Sequence, residues 1–158
     1  MKRIDAIREI MENKVKDGDL VIASSGMISR EVYAVKDRPE NFYVMGSMGS
    51  SLAIGIGLAL NTDRKVVVIA GDGEILMSLG TLVLMNKLGL ANLALFILDN
   101  NCYQSTGGQK TCSDAARFHD ICDCFVVSVE CEGSDVPRIP IPHKEIARRF
   151  YNAINGSQ

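Results

Sequence analysis

The chain reads as an α/β protein, a three-layer sandwich with a mostly parallel sheet, on three observations. Short apolar runs alternate with helix-like segments along the 158 residues, the pattern of strands joined by crossover helices. One run, Val66-Val67-Val68-Ile69-Ala70, is continuous and mostly β-branched, as a strand buried on both faces must be. Three clusters of polar and glycine residues, at 46–51, 71–74 and 99–109, each follow an apolar run. Open α/β sheets bind ligands at just those strand ends.

The elements follow in order. Ile4, Ile7, Ile10, Met11 and Val15 repeat at helical spacing, so residues 3–16 are predicted as an amphipathic helix ended by Asp17-Gly18-Asp19. Leu20-Val21-Ile22-Ala23 is a buried strand stopped by Ser24-Ser25-Gly26. Residues 29–36 form a short helix closed before Arg38-Pro39, and 41–45 a second strand. Residues 50–60 form a helix in which Gly55, Gly57 and Ala59 permit close backbone approach. After the 66–70 strand come a helix over 74–88 and a strand over 93–98. Residues 101–111 read as a loop, 114–120 as a helix and 125–129 as a late strand. Residues 134–142 hold three of the four prolines and read as an irregular connection before a final helix over 143–155.

Composition bounds the function. One domain spanning 1–158 is expected at this length. A net charge of -2 argues against a nucleic-acid surface. No run approaches the roughly 18 apolar residues of a membrane span, and the charged start Met1-Lys2-Arg3 is unlike a signal peptide. A cytoplasmic location is expected. The five cysteines, Cys102, Cys112, Cys122, Cys124 and Cys131, are odd in number and lack a Cys-x-x-Cys pair. They favour reduced core or surface thiols over a disulfide framework or metal site. His119 and His143 read as structural or solvated.

Gly71-Asp72-Gly73-Glu74 and Asp99-Asn100-Asn101 deliver a carboxylate and a carboxamide to the ends of two neighbouring strands. Both are hard oxygen ligands of the kind Mg2+ prefers. Glycines flanking Asp72 let the chain turn and let its backbone approach phosphates.

This pairing resembles the thiamine diphosphate-binding motif of thiamine diphosphate-dependent decarboxylases. The resemblance implies a metal held by Asp72, Asn100 and the backbone carbonyl of Cys102, with Asn101 the alternative if the register is off by one. It implies cofactor contacts at Gly71, Gly73, Glu74 and Tyr103. Gly46-Ser47-Met48-Gly49 is similar to the loop that grips the aminopyrimidine ring. Gly46 and Met48 would bond the ring through their backbones, and the Met48 side chain would bend the cofactor. Tyr103-x-Ser105-Thr106-Gly107-Gly108-Gln109 resembles the phosphonopyruvate and sulfopyruvate decarboxylases, which makes Ser105, Thr106, Gly107, Gly108 and Gln109 the expected substrate contacts. Asp37-Arg38-Pro39-Glu40-Asn41-Phe42-Tyr43 is similar to the same group.

The resemblance covers residues 20–130 and only the diphosphate-binding domain. Family members also need a pyrimidine-binding domain, whose glutamate activates the cofactor. Glu31, Glu40 and Glu130 offer no substitute, so that acid is expected on a separate alpha-type subunit. The implied role is the beta-type subunit of a sulfopyruvate decarboxylase, releasing CO2 and sulfoacetaldehyde on the way to coenzyme M. The family buries its central helices on dimerisation, and Met77, Leu84 and Met85 are expected on the core-facing side of that helix. Rival readings are phosphonopyruvate decarboxylase, the beta subunit of a 2-oxoacid oxidoreductase, and a non-catalytic cofactor- or nucleotide-binding module. Gly-x-Gly-x-x-Gly after the first strand and a Walker lysine are both missing.

Overall fold

The computed structural model describes residues 1–156. Five strands make one sheet, parallel throughout, in the order β2-β1-β3-β4-β7. They are β1 (Leu20–Ala23), β2 (Asn41–Tyr43), β3 (Val66–Gly71), β4 (Leu93–Asp99) and β7 (Phe125–Ser128). A two-stranded antiparallel hairpin, β5 (Cys102–Tyr103) and β6 (Gln109–Lys110), stands apart. The helices are α1 (Arg3–Asn13), α2 (Met27–Val35), α3 (Ser51–Ala59), α4 (Asp72–Met77), α5 (Leu79–Leu88), α6 (Ser113–Ala116), α7 (Phe118–Ile121) and α8 (His143–Asn155).

Side-chain alternation splits β3 between two cores. Val66, Val68 and Ala70 pack with Leu52 and Ile56 of α3 and Leu82 of α5. Val67 and Ile69 pack with Ile7 and Met11 of α1 and Val32 of α2. Helices thus cover both faces, and the three-layer expectation holds. Gly55 lets α3 lie against the sheet, since a β-carbon there would run into Val68 Cγ2. Gly57 faces open space and serves no such contact.

Strand β1 has β2 on one side and β3 on the other. The chain therefore leaves β1 in one direction and returns past it in the other, which creates a switch point at the carboxyl ends of β1 and β3.

Four expectations need correction. The single helix over 74–88 is broken at Ser78, whose φ and ψ are -129° and 37°. Of the three residues expected toward the core, Met77 and Leu84 are 57% and 47% exposed and only Met85 faces the core. The polar loop over 101–111 contains the β5-β6 hairpin, with Tyr103 opposite Gln109. The helix over 114–120 is two short helices divided by Arg117 at φ 44°. Finally, Cys102 and Cys131 form a disulfide, their Cα atoms 6.3 Å apart. Cys112, Cys122 and Cys124 are free thiols, the last two buried. No helix among the described residues is long and apolar enough to cross a membrane.

Candidate active site

The carboxyl ends of β1, β3 and β4 and the loop after β2 open onto a cavity of about 650 Å³, the size of a small-molecule or cofactor site. Asp72 is delivered by the turn from β3 into α4 and is only 2% exposed. Its Oδ2 accepts from Thr111 Oγ1. Burial pushes its carboxyl above the ordinary aspartate range. The Thr111 hydroxyl and the backbone N–H groups of Gly73 and Asn100 pull it back, while nearby Asp99 adds to the rise. A carboxylate placed this way gains from a cation.

Asn100 follows β4 and lines the same cavity. Its Oδ1 accepts from the Cys102 N–H at 3.1 Å. Asn101 is turned elsewhere: its φ is 54° and its Oδ1 accepts from Ser113 Oγ at 2.9 Å. Of the two registers, Asn100 is the one that shares a cavity with Asp72. Cys102 and Tyr103 also line it. The Tyr103 ring lies directly over Gly73, where a β-carbon would sit 2.6 and 2.9 Å from ring atoms Cε1 and Cδ1. No cluster of three or more His, Cys, Asp or Glu suits a metal among the described residues. A metal here would rest on one carboxylate, one carboxamide and one carbonyl, the oxygen set that Mg2+ takes together with phosphate and water.

Glu74 is buried beside Asp72 at 2% exposure. Its Oε1 accepts from the Ser51 N–H at 3.1 Å, at the start of α3. Gly46 and Met48 reach the cavity mouth, and Met48 is 47% exposed. Ser47 does not line the cavity. It sits at φ 49° and its carbonyl accepts from Ser50 N and Oγ at 3.1 and 2.7 Å, closing the turn.

Ser105, Thr106 and Gln109 line the cavity. Gly107 and Gly108, at φ 123° and 76°, make the bend between β5 and β6 and do not line it. The sequence reading also missed a wall. Ser24, Ser25, Gly26, Met27 and Ile28, after β1, line the cavity with Arg3 of α1. Ser24-Ser25-Gly26 carried the same signal as the other clusters, polar residues and a glycine after an apolar run. Arg3 carried none. His119 and His143 are exposed and lie outside the cavity.

Met48 and Met77 line the cavity, and Leu79, Val83 and Leu84 of α5 are also exposed apolar side chains, the last two 59% and 47% exposed.

Residues 22–150 match the family described as thiamine pyrophosphate enzyme, C-terminal TPP binding domain. The sulfopyruvate decarboxylase subunit beta of Methanothermobacter thermautotrophicus is 37% identical over 99% of this chain and 97% of its own length. That of Methanocaldococcus jannaschii is 51% identical over 70% of this chain and 58% of its own. The phosphonopyruvate decarboxylase of Streptomyces viridochromogenes is 42% identical over 72% of this chain, which spans only 28% of that protein. Among solved structures, the benzoylformate decarboxylase of Polynucleobacter necessarius superposes with a TM-score of 0.63 over 85% of this chain and 34% of that one, at 16% identity.

Proposed function

This chain belongs to the thiamine pyrophosphate enzyme family, by its C-terminal TPP binding domain, and from that membership we propose that it is the beta-type subunit of a decarboxylase acting on 3-sulfopyruvate. One observation carries the reading. Asp72 and Asn100, from the ends of β3 and β4, share a cavity with Ser105 and Thr106 of the hairpin loop. A metal–diphosphate site and a polar wall for an acid would then share one cavity. The products would be sulfoacetaldehyde and CO2, a step toward coenzyme M.

The residues present fit thiamine diphosphate with Mg2+. Asp72 is a buried carboxylate in need of a cation, and the missing β-carbon of Gly73 leaves room for the Tyr103 ring beside it. Asp72, Asn100 Oδ1 and the Cys102 carbonyl would hold the metal, with Gly71 and Glu74 completing the turn. Gly46, Met48 and Tyr103 would orient the rings, with Ser47 shaping their loop. The bound cofactor supplies the electron sink that takes the pair left when CO2 departs.

The chain's own part is to bind, orient and exclude water. The carboxylates lining its cavity, Asp72 and Glu74, both sit in the turn after β3. Neither is available at the opposite end to protonate a pyrimidine ring, so the activating glutamate belongs to an alpha-type partner. The exposed apolar side chains Met77, Leu79, Val83 and Leu84 offer a face for that partner or for a second copy within a hetero-oligomer. Cytoplasmic residence is part of the same proposal, read by cell fractionation.

The test is reconstitution with the pyrimidine-domain subunit, thiamine diphosphate and Mg2+, followed by a panel of 3-sulfopyruvate, 3-phosphonopyruvate and pyruvate. Sulfopyruvate should turn over fastest. The identity to a phosphonopyruvate decarboxylase makes 3-phosphonopyruvate the second reading, and preference for it would replace the first. Turnover only with an added electron acceptor would instead indicate an oxidoreductase. Binding of ATP or NAD in place of thiamine diphosphate would end the reading altogether.

A further inference from the structure

Thr111 touches both halves of the proposed metal site. Its Oγ1 donates to Asp72 Oδ2, in the turn after β3. Its N–H donates to the Asn101 carbonyl at 3.0 Å, in the loop after β4. Its methyl group packs beside Gly73, where a β-carbon would stand 3.5 Å from Thr111 Cγ2. Thr111 follows directly on β6 and is 8% exposed. Asp72 lines the cavity and Thr111 does not, so the hydroxyl meets the carboxylate from outside the cavity.

Thr111 is itself held in place. Ser113 Oγ lies 3.2 Å from Thr111 Oγ1 and 2.9 Å from both Asp99 Oδ1 and Asn101 Oδ1. Threonine is stiff at χ1, and here its backbone, methyl and hydroxyl are each engaged. A hydroxyl has one proton to give, and Thr111 gives it to a buried carboxylate.

The consequence falls on Asp72. With Oδ2 engaged by Thr111, Oδ1 is the oxygen left to meet a cation in the cavity. The backbone N–H groups of Gly73 and Asn100 also turn to this carboxylate, which restricts its rotation. A carboxylate that offers one oxygen suits Mg2+, which demands near-ideal octahedral geometry. Ca2+ takes more oxygens and accepts both from one carboxylate.

We propose that Thr111 is a positioning residue of the metal site: it confines Asp72 to one metal bond, through Oδ1, and so tunes the site toward Mg2+ and away from Ca2+. The occupant of the site rests on the reading above; the restraint on Asp72 rests on the geometry.

The test is calorimetric titration of thiamine diphosphate into the assembled pair, once with Mg2+ and once with Ca2+. Thr111→Val keeps the shape and removes the hydroxyl. Its affinity with Mg2+ should fall about tenfold or more, the scale seen when a metal ligand loses its orienting partner. Its affinity with Ca2+ should stay within about threefold of the parent, because the released Oδ2 can join that cation. The Mg2+ to Ca2+ affinity ratio therefore falls. Thr111→Ser keeps the hydroxyl and should keep the parent ratio. A purely structural role would weaken both cations alike, and an unmoved ratio in Thr111→Val overturns the proposal.

The measurement needs no turnover. A fallen ratio with no 2-oxo acid decarboxylated would sink the decarboxylase reading and support the restraint on Asp72. Turnover of 3-sulfopyruvate with an unmoved ratio would do the reverse. Absence of cation-dependent binding by the parent pair also overturns the proposal. Should Thr111→Val fail to fold, Thr111→Ala, which sets no new atom beside Asp72, decides in its place.

Discussion

The Glu74 carboxylate holds the Ser51 backbone N–H at 3.1 Å, joining the turn after β3 to the first residue of α3. The turn after β3 and the 46–49 loop are therefore not independent, because α3 begins just after that loop. A carboxylate also suits the positive end of a helix. Glu74→Gln keeps an acceptor at Oε1 and should cost little. Glu74→Ala strands the Ser51 N–H beside a Ser51 hydroxyl that already lacks a partner. It should lower stability by about 1–3 kcal/mol. Chemical denaturation of the chain measures this, and an unchanged midpoint for the alanine variant would refute the coupling.

Gly73→Ala places a methyl group against the Tyr103 ring, with separations of 2.6 and 2.9 Å before any relaxation. Overpacking of this kind costs about 1–3 kcal/mol. The ring or the turn must shift, and thiamine diphosphate binding by the assembled pair should weaken sharply in calorimetry. Adding Tyr103→Ala should return the lost stability. If the single variant binds cofactor like the parent, the close approach at Gly73 has no functional weight.

Asp72→Asn separates stability from function. Burial raises the carboxyl pKa above its reference value of 3.8. The folded state therefore holds its proton more tightly than the unfolded state, and stability declines as pH rises through the window between the two pKa values. Asparagine removes that penalty. The cofactor-free variant should melt at or above the parent temperature at pH 7, and the difference should close on acidification through that window. Magnesium-dependent cofactor binding should be lost. Retention of near-parent binding would reject Asp72 as a ligand.

Tyr43 gives an alkaline signature. Burial raises its phenol far above the reference 10.0; the bond to Asn41 lowers it in part, and Asp37 raises it further. Above pH 10 the unfolded chain ionises its tyrosine first, so stability should fall with rising pH from there. Tyr43→Phe should flatten that slope. At neutral pH it should cost about 1 kcal/mol, since Asp37 keeps Arg149 at 2.9 Å as a partner. An equal slope in both proteins would assign the alkaline loss to other groups.

Much of this architecture could be read from apolar runs alone. Strands β1, β3 and β4 are Val-, Ile- and Leu-rich runs that must be buried, whereas β2 is Asn-Phe-Tyr and β7 is partly exposed; polar clusters after β2, β3 and β4 pointed to the candidate site. The break at Ser78 was not legible. Leu76-Met77-Ser78-Leu79 is apolar enough to continue a helix, and the break shows only in backbone angles and in where Met77 and Leu84 point. Strands β5 and β6 escaped because each is two residues long and the pair closes through a Gly-Gly bend rather than an apolar face. Arg3 was invisible for another reason. A charged residue opening an amphipathic helix is normally solvated, and only the fold brings it to Glu31 and Gln104, 28 and 101 positions away. The Cys102 and Cys131 contact likewise depends on β7 lying next to β4.

That disulfide fastens the start of the hairpin loop to the segment leaving β7, across a span of 29 residues. With the bond closed, Cys102 travels with the edge of the sheet. With the bond open, the hairpin keeps its ties from Thr111 to Asp72 and from Arg3 to Gln104 but loses its covalent link to the sheet edge. One amino-acid sequence then yields two mechanical linkages, and two samples handled with and without reductant are not the same machine.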